Sequence, residues 1–153
     1  MCKDDWVKGL LIALTVALIG ALTFVVIAAG LNASVLGAPG SPGAMWTAFG
    51  FTVAGIACLV GLGFAIKDYY ACMGGGERCL PPLGSFQAAI AGMMAVLVIQ
   101  ALACAAVAGI AWIPLLGLPG MAYIWGALFL QLFLVPTLWH FWKKIQECLG
   151  PPR

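Results

Sequence analysis

Lysine, arginine, aspartate and glutamate are all absent from two long stretches of this chain, Gly9–Ile66 and Cys79–Trp142. Each stretch is about sixty residues, room for two helices of the ~20 apolar residues that cross a bilayer and a turn between them. Helix breakers interrupt each of them once. The first contains Gly37-Ala38-Pro39-Gly40-Ser41-Pro42-Gly43, and the second runs from Pro114 to Pro119-Gly120. That pattern predicts two helical hairpins, residues 1–77 and 78–153, with transmembrane helices near Trp6–Leu31, Ala44–Tyr69, Gly84–Trp112 and Met121–Glu147. Composition agrees. Only 8% of residues are charged and mean hydropathy is +1.10, whereas a soluble domain of ordinary composition carries about 25% charged residues. The expected fold class is an all-α integral membrane protein with four spans.

The charges that remain form three clusters: Lys3, Asp4, Asp5 and Lys8; Lys67, Asp68, Glu77 and Arg78; Lys143, Lys144, Glu147 and Arg153. Four crossings put both termini and the central loop on one side. All seven basic residues lie there and none in the outer loops, so the positive-inside rule predicts a cytoplasmic, matrix or stromal face, N-in and C-in. The first apolar run exceeds the 7–15 residues of a signal-peptide core, which favours an uncleaved anchor.

The two halves echo one another in order. Val35-Leu36-Gly37-Ala38-Pro39-Gly40 recurs as Leu115-Leu116-Gly117-Leu118-Pro119-Gly120, and Lys67-x4-Cys72-Met73-Gly74 recurs as Lys143-x4-Cys148-Leu149-Gly150. Cys2 and Cys79 correspond loosely at the hairpin entries. A tandem parallel repeat is expected, with its pseudo-axis along the membrane normal, rather than the inverted repeat of alternating-access carriers.

Lipid gives no hydrophobic reward for helix association, so small residues that let backbones approach should mark the contacts. Candidate packing positions are Ala13, Ala17 and Ala21 on the first helix and Gly50, Ala54, Ala57 and Gly61 on the second. The third contributes Ala101, Ala105 and Gly109. The fourth helix is bulky after Gly126 and Ala127, so it is expected to be the most exposed to lipid or to a partner, while the first three pack closely. Trp6, Tyr69, Tyr70, Trp139 and Trp142 are placed as an interfacial belt on the charged side, and Trp46, Trp112, Tyr123 and Trp125 on the other.

Proton or ion transport usually requires an ionisable residue at mid-depth. The helix interiors offer only the amides Gln100 and Gln131 and a few threonines, whose default role is interhelical hydrogen bonding. His140 is the lone histidine and the one candidate cofactor ligand, for a haem or chlorophyll-type pigment. Cys2, Cys72, Cys79 and Cys148 all fall on the charged face. On a reducing side they are expected to be thiols, free or lipid-modified; the alternatives are disulfides in an oxidising compartment and, if the four converge, ligands for zinc or an iron–sulfur cluster. Cys58 and Cys104 read as small apolar packing residues. Asn32-Ala33-Ser34 is a glycosylation sequon at the outer surface.

No phosphate-binding loop, catalytic triad or paired carboxylate appears, so no enzymatic activity is expected, and a net charge of +2 gives no nucleic-acid footprint. The outer loops are nearly all Gly, Pro, Ala, Leu and Trp, an apolar surface that calls for cover. The leading expectation is a small non-catalytic accessory or scaffold subunit of a larger membrane complex, with bound lipid and no cofactor. A homo-oligomeric pore or small transporter is the alternative, and a thiol- or metal-dependent redox protein the third.

Overall fold

The computed structural model describes residues 5–34, 42–74, 79–110 and 114–150. They form four helices: α1 (Asp5–Ser34), α2 (Pro42–Cys72), α3 (Leu80–Ile110) and α4 (Pro114–Leu149). Each contains a stretch long and apolar enough to cross a membrane. At 1.5 Å per residue the 30 residues of α1 span about 45 Å, the thickness of a bilayer with its headgroups.

Prolines explain where three helices begin. A residue in the first turn has no intrahelical use for its N–H, so Pro42, Pro81 with Pro82, and Pro114 are accommodated at the starts of α2, α3 and α4. The break predicted at Pro119-Gly120 does not occur. Both residues lie inside α4, which starts seven positions earlier than the expected Met121. Breakers near the start of a membrane helix are tolerated because few backbone bonds are lost there. Further along, Pro136 deprives α4 of one donor, and beside it the Thr137 hydroxyl donates to the Phe133 carbonyl at 2.6 Å.

Two helices stop on left-handed glycines. Gly74 has φ +64° and Gly150 φ +82°, the conformation that closes a helix and that a Cβ penalises. Gly74 N–H donates to Ala71 O at 3.1 Å and Gly150 N–H to Gln146 O at 3.0 Å. Substituting Gly74→Ala or Gly150→Ala is expected to cost about 1 kcal/mol, readable as a lower thermal midpoint in detergent.

Each helix packs along its neighbour in sequence, and α1 meets α4 only sparingly. The bundle therefore closes tightly on three seams and leaves the fourth loosely joined. Contrary to expectation, α4 lies along α3 as intimately as α1 lies along α2; one bulky face (Phe129, Leu130, Leu132, Phe133) is exposed. Its opposite face buries Ile124, Leu128, Leu138, Trp142 and Ile145. Two apolar clusters result. The larger fills the charged end, with Val7, Leu59, Ile66, Phe86, Leu97 and Leu138 among its members. The smaller joins Val25, Ala48, Cys104, Ile124 and Leu128 towards the other end.

The small-residue stripes divide. Ala17, Ala21 and Ala101 are buried and Ala105 is half-buried. Gly61 sits against Leu10, whose Cδ1 would lie 3.3 Å from an added Cβ. Ala13, Gly50, Ala54 and Ala57 instead face outward within this chain, and a Cβ at Gly50 would meet nothing within 4 Å. Spacing marks a stripe but not its direction, and Leu11, Leu14, Leu59 and Leu62 take the inward arcs. Gly109 lies outside the residues whose side chains are described.

The tightest small-residue contact is one that the spacing did not select. A Cβ on Gly20 would approach Phe51 Cε1 to 2.7 Å, and Phe51 is stacked on Phe24 at 5.7 Å. Gly20→Ala is expected to lose about 1–3 kcal/mol through overpacking. Gly63→Ala, with open space around it, should be neutral or slightly stabilising, because Ala is the better helix former. Comparing the two thermal midpoints checks the α1–α2 seam.

Candidate functional site

A buried amide in a membrane must find partners within the protein, because hydrocarbon offers none. The Thr52 hydroxyl donates to the Ala48 carbonyl one turn back at 2.8 Å, which leaves its oxygen as an acceptor. Gln100 Nε2 donates to that oxygen at 2.8 Å. Gln100 Oε1 in turn accepts from Gln131 Nε2. The direction of the first bond sets all the others, so both amide orientations follow from the network. The chain Ala48–Thr52–Gln100–Gln131 ties α2, α3 and α4 in a layer between the two apolar clusters. It ends on Gln131 Oε1, which is buried and finds no hydrogen-bond partner among the described residues.

A second polar contact joins the loose seam. Trp139 Nε1 on α4 donates to Thr15 Oγ1 on α1 at 3.2 Å, and Thr15 donates to Leu11 O at 2.8 Å. The amides were anticipated as interhelical donors; their direct bond, Thr52, and the Thr15–Trp139 pair were not. Depth holds a signal for Thr52. It lies twenty residues before the end of α2 at Cys72, and Gln100 lies twenty after the start of α3 at Leu80. Antiparallel neighbours place such residues side by side.

At the charged end, Cys79 and Cys148 form a disulfide with Cα atoms 6.0 Å apart, closing the α3–α4 hairpin. Cys79 is fully buried and its N–H donates to the Tyr70 hydroxyl at 3.3 Å. Tyr69 meets Trp142 edge-on at 5.3 Å. Tyr69, Tyr70 and Trp142 are therefore core residues rather than the interfacial belt they were expected to form. They share one apolar cluster with the bridge, whereas Trp6 is 74% exposed. Cys72 is also disulfide-bonded.

These bridges correct the expectation of thiols at this face. Cys72, Cys79 and Cys148 present no thiolate to a metal while oxidised, and Cys2 lies outside the described residues. Among the described residues no group of three or more His, Cys, Asp or Glu could hold a metal ion. Cys58 and Cys104 are free thiols within α2 and α3. His140 is exposed on α4, its ring centroid 5.5 Å from that of its neighbour Phe141. No family model matches the chain, and comparison with curated proteins and solved structures gave no match either.

Proposed function

We propose that the protein is a small non-catalytic accessory or scaffold subunit of a larger membrane assembly. One observation carries this reading. The buried polar side chains among the described residues are Thr52, Gln100 and Gln131, and all three serve a single chain that ties helices together. Two outward surfaces are suited to partner helices: the bulky α4 face of Phe129, Leu132 and Phe133, and the small-residue α2 face of Gly50, Ala54 and Ala57. Of the apolar outer loops that first suggested cover, the first falls outside the described residues, and the second is helix α4 from Pro114 onward. Mild-detergent purification at native expression, with mass spectrometry of what accompanies the chain, is expected to recover larger membrane proteins in fixed ratio. Recovery of a discrete homo-oligomer that makes liposomes leaky would overturn this in favour of a pore.

The reading extends to duplication and orientation. Both hairpins end on a disulfide-bonded cysteine followed two residues later by a left-handed glycine, Cys72–Gly74 and Cys148–Gly150. This favours a tandem repeat. Sidedness sets two rules against each other. Seven basic residues on one face favour the cytoplasm, while disulfides form and persist in oxidising compartments. Charge bias is worth about 1 kcal/mol per basic residue near an anionic surface, whereas a buried structural bridge depends on an oxidising compartment to form. The proposal therefore places the cysteine face on the oxidising side, reversing the orientation expected from charge. With Lys144→Cys at an exposed site of that face, a membrane-impermeant maleimide is expected to label intact cells. Labelling only after lysis would restore the cytoplasmic assignment.

A further inference from the structure

We propose that the groove between α2 and α3 at the charged end seats one anionic phospholipid, its phosphate held by Lys67 and Gln87 and one acyl chain lying along the helices. The groove holds a cavity of about 340 Å³. Val60, Gly63 and Lys67 of α2 and Gln87, Ile90 and Met94 of α3 are among its walls. The seat does not depend on the accessory-subunit reading.

The order of these residues along the groove defines the ligand. Lys67 lies five residues before the end of α2 at Cys72, and Gln87 seven after the start of α3 at Leu80. On antiparallel neighbours they stand at similar depth, at the end of the groove nearest the charged clusters. Val60 and Met94 lie seven residues deeper on their helices, about 10 Å along the axis. The wall thus passes from a cation and an amide to hydrocarbon, as a phospholipid passes from headgroup to chain. A sterol brings no anion to Lys67, a zwitterionic lipid brings a cation that competes with it, and a soluble phosphate leaves the apolar wall uncovered.

Both polar side chains can reach a ligand. Lys67 and Gln87 are exposed as well as lining the groove, and neither makes a hydrogen bond or ion pair with another described residue. A lysine lays its apolar stem along hydrocarbon and presents its ammonium at headgroup level, and the amide NH₂ donates to the same phosphate oxygens. Asp68, the next residue, is turned about 100° from Lys67 around α2 and does not line the cavity. Gly63 gives the chain its room, since a Cβ there would meet nothing within 4 Å.

The test uses the full chain with ¹⁵N-labelled glutamine in phosphatidylcholine nanodiscs containing increasing fractions of phosphatidylglycerol. The Gln87 side-chain NH₂ signal, assigned by its loss in Gln87→Leu, is expected to shift saturably. Lys67→Gln should weaken binding about fivefold, the worth of one basic residue at an anionic headgroup, and Lys67→Arg should retain it. Lys144→Gln, at an exposed site of the same end outside the groove, should leave it unchanged. Gly63→Leu, which fills the groove between its two ends, should abolish the shift while the Gln100 signal stays in place. Should Gly63→Leu move the Gln100 signal, the lysine variants decide. Equal weakening by Lys67→Gln and Lys144→Gln would show diffuse surface charge and overturn the proposal. So would unchanged affinity in Lys67→Gln, a shift that rises linearly without saturating, a response unchanged in a folded Gly63→Leu, or an equal response to glycerol phosphate, which has no chains.

Discussion

Cys148→Ser is expected to be one of the two most destabilising single substitutions considered. The bridge it removes closes a loop with a sequence separation of 69 residues, for which chain-entropy arguments give about 4 kcal/mol in a fully unfolded reference state. In a membrane that reference is too generous. Denatured α3 and α4 remain inserted, and their ends are already near one another. A loss of about 2–4 kcal/mol follows, and the cysteine end should loosen first, because the bridge is packed with Tyr70, Leu83 and Leu149. Unfolding by sodium dodecyl sulfate, followed by tryptophan fluorescence, measures the loss. Since Cys72 is bridged as well, the reduced wild type should unfold no later than the serine variant. A serine variant as resistant as the oxidised wild type would show that the bridge carries no stability.

Gln100→Leu has an expected effect of similar size, and its partner substitution gives it a distinctive form. Gln100 is the middle of the polar chain, donating to Thr52 on α2 and accepting from Gln131 on α4. Interhelical hydrogen bonds in membranes are worth roughly 0.6 kcal/mol each and at most about 1.7. Losing two removes about 1–3 kcal/mol. A comparable cost comes from leaving the Gln131 amide without its acceptor in an apolar interior, a further ~1–3 kcal/mol. Replacing both amides removes that penalty. The double variant Gln100→Leu/Gln131→Leu should therefore be more stable than Gln100→Leu alone, a sign reversal that simple loss of packing would not produce. The same denaturation assay reads it. Additive losses would instead show that the two side chains act independently.

Much of the architecture was legible because it follows from solvent and length alone. Two uncharged stretches, each with one interruption, leave little choice but two hairpins, and the four helices occupy those stretches. Boundaries were less legible where a rule for water was applied in lipid: Pro119-Gly120 reads as a break but lies within α4. The direction of the small-residue stripes was hidden because lipid imposes no inside-to-outside gradient of polarity. Ala21 turns inward and Ala54 outward on sequence evidence of equal strength.

The polar layer was half visible. Gln100 and Gln131 stand out as the amides deep within the spans, far from the charged clusters, but Thr52 is one of several threonines that bond back to their own helix. Thr15 and Thr23 do so as well. Only depth, counted from the turn, separates Thr52 from them. The Cys79–Cys148 pairing was obscured by the basic residues around it, which assigned the face to a reducing compartment and so turned four cysteines into thiols.

The bridge between Cys79 and Cys148 also changes what counts as one molecule. With the chain between them, it makes α3, α4 and their connection a closed covalent circuit that holds two helices each long and apolar enough to cross a membrane. A single cut in the connection between those helices would separate no fragment. The nicked protein would migrate as one piece until a reducing agent opened it, so a cut at one end of the hairpin is held together by a bond at the other.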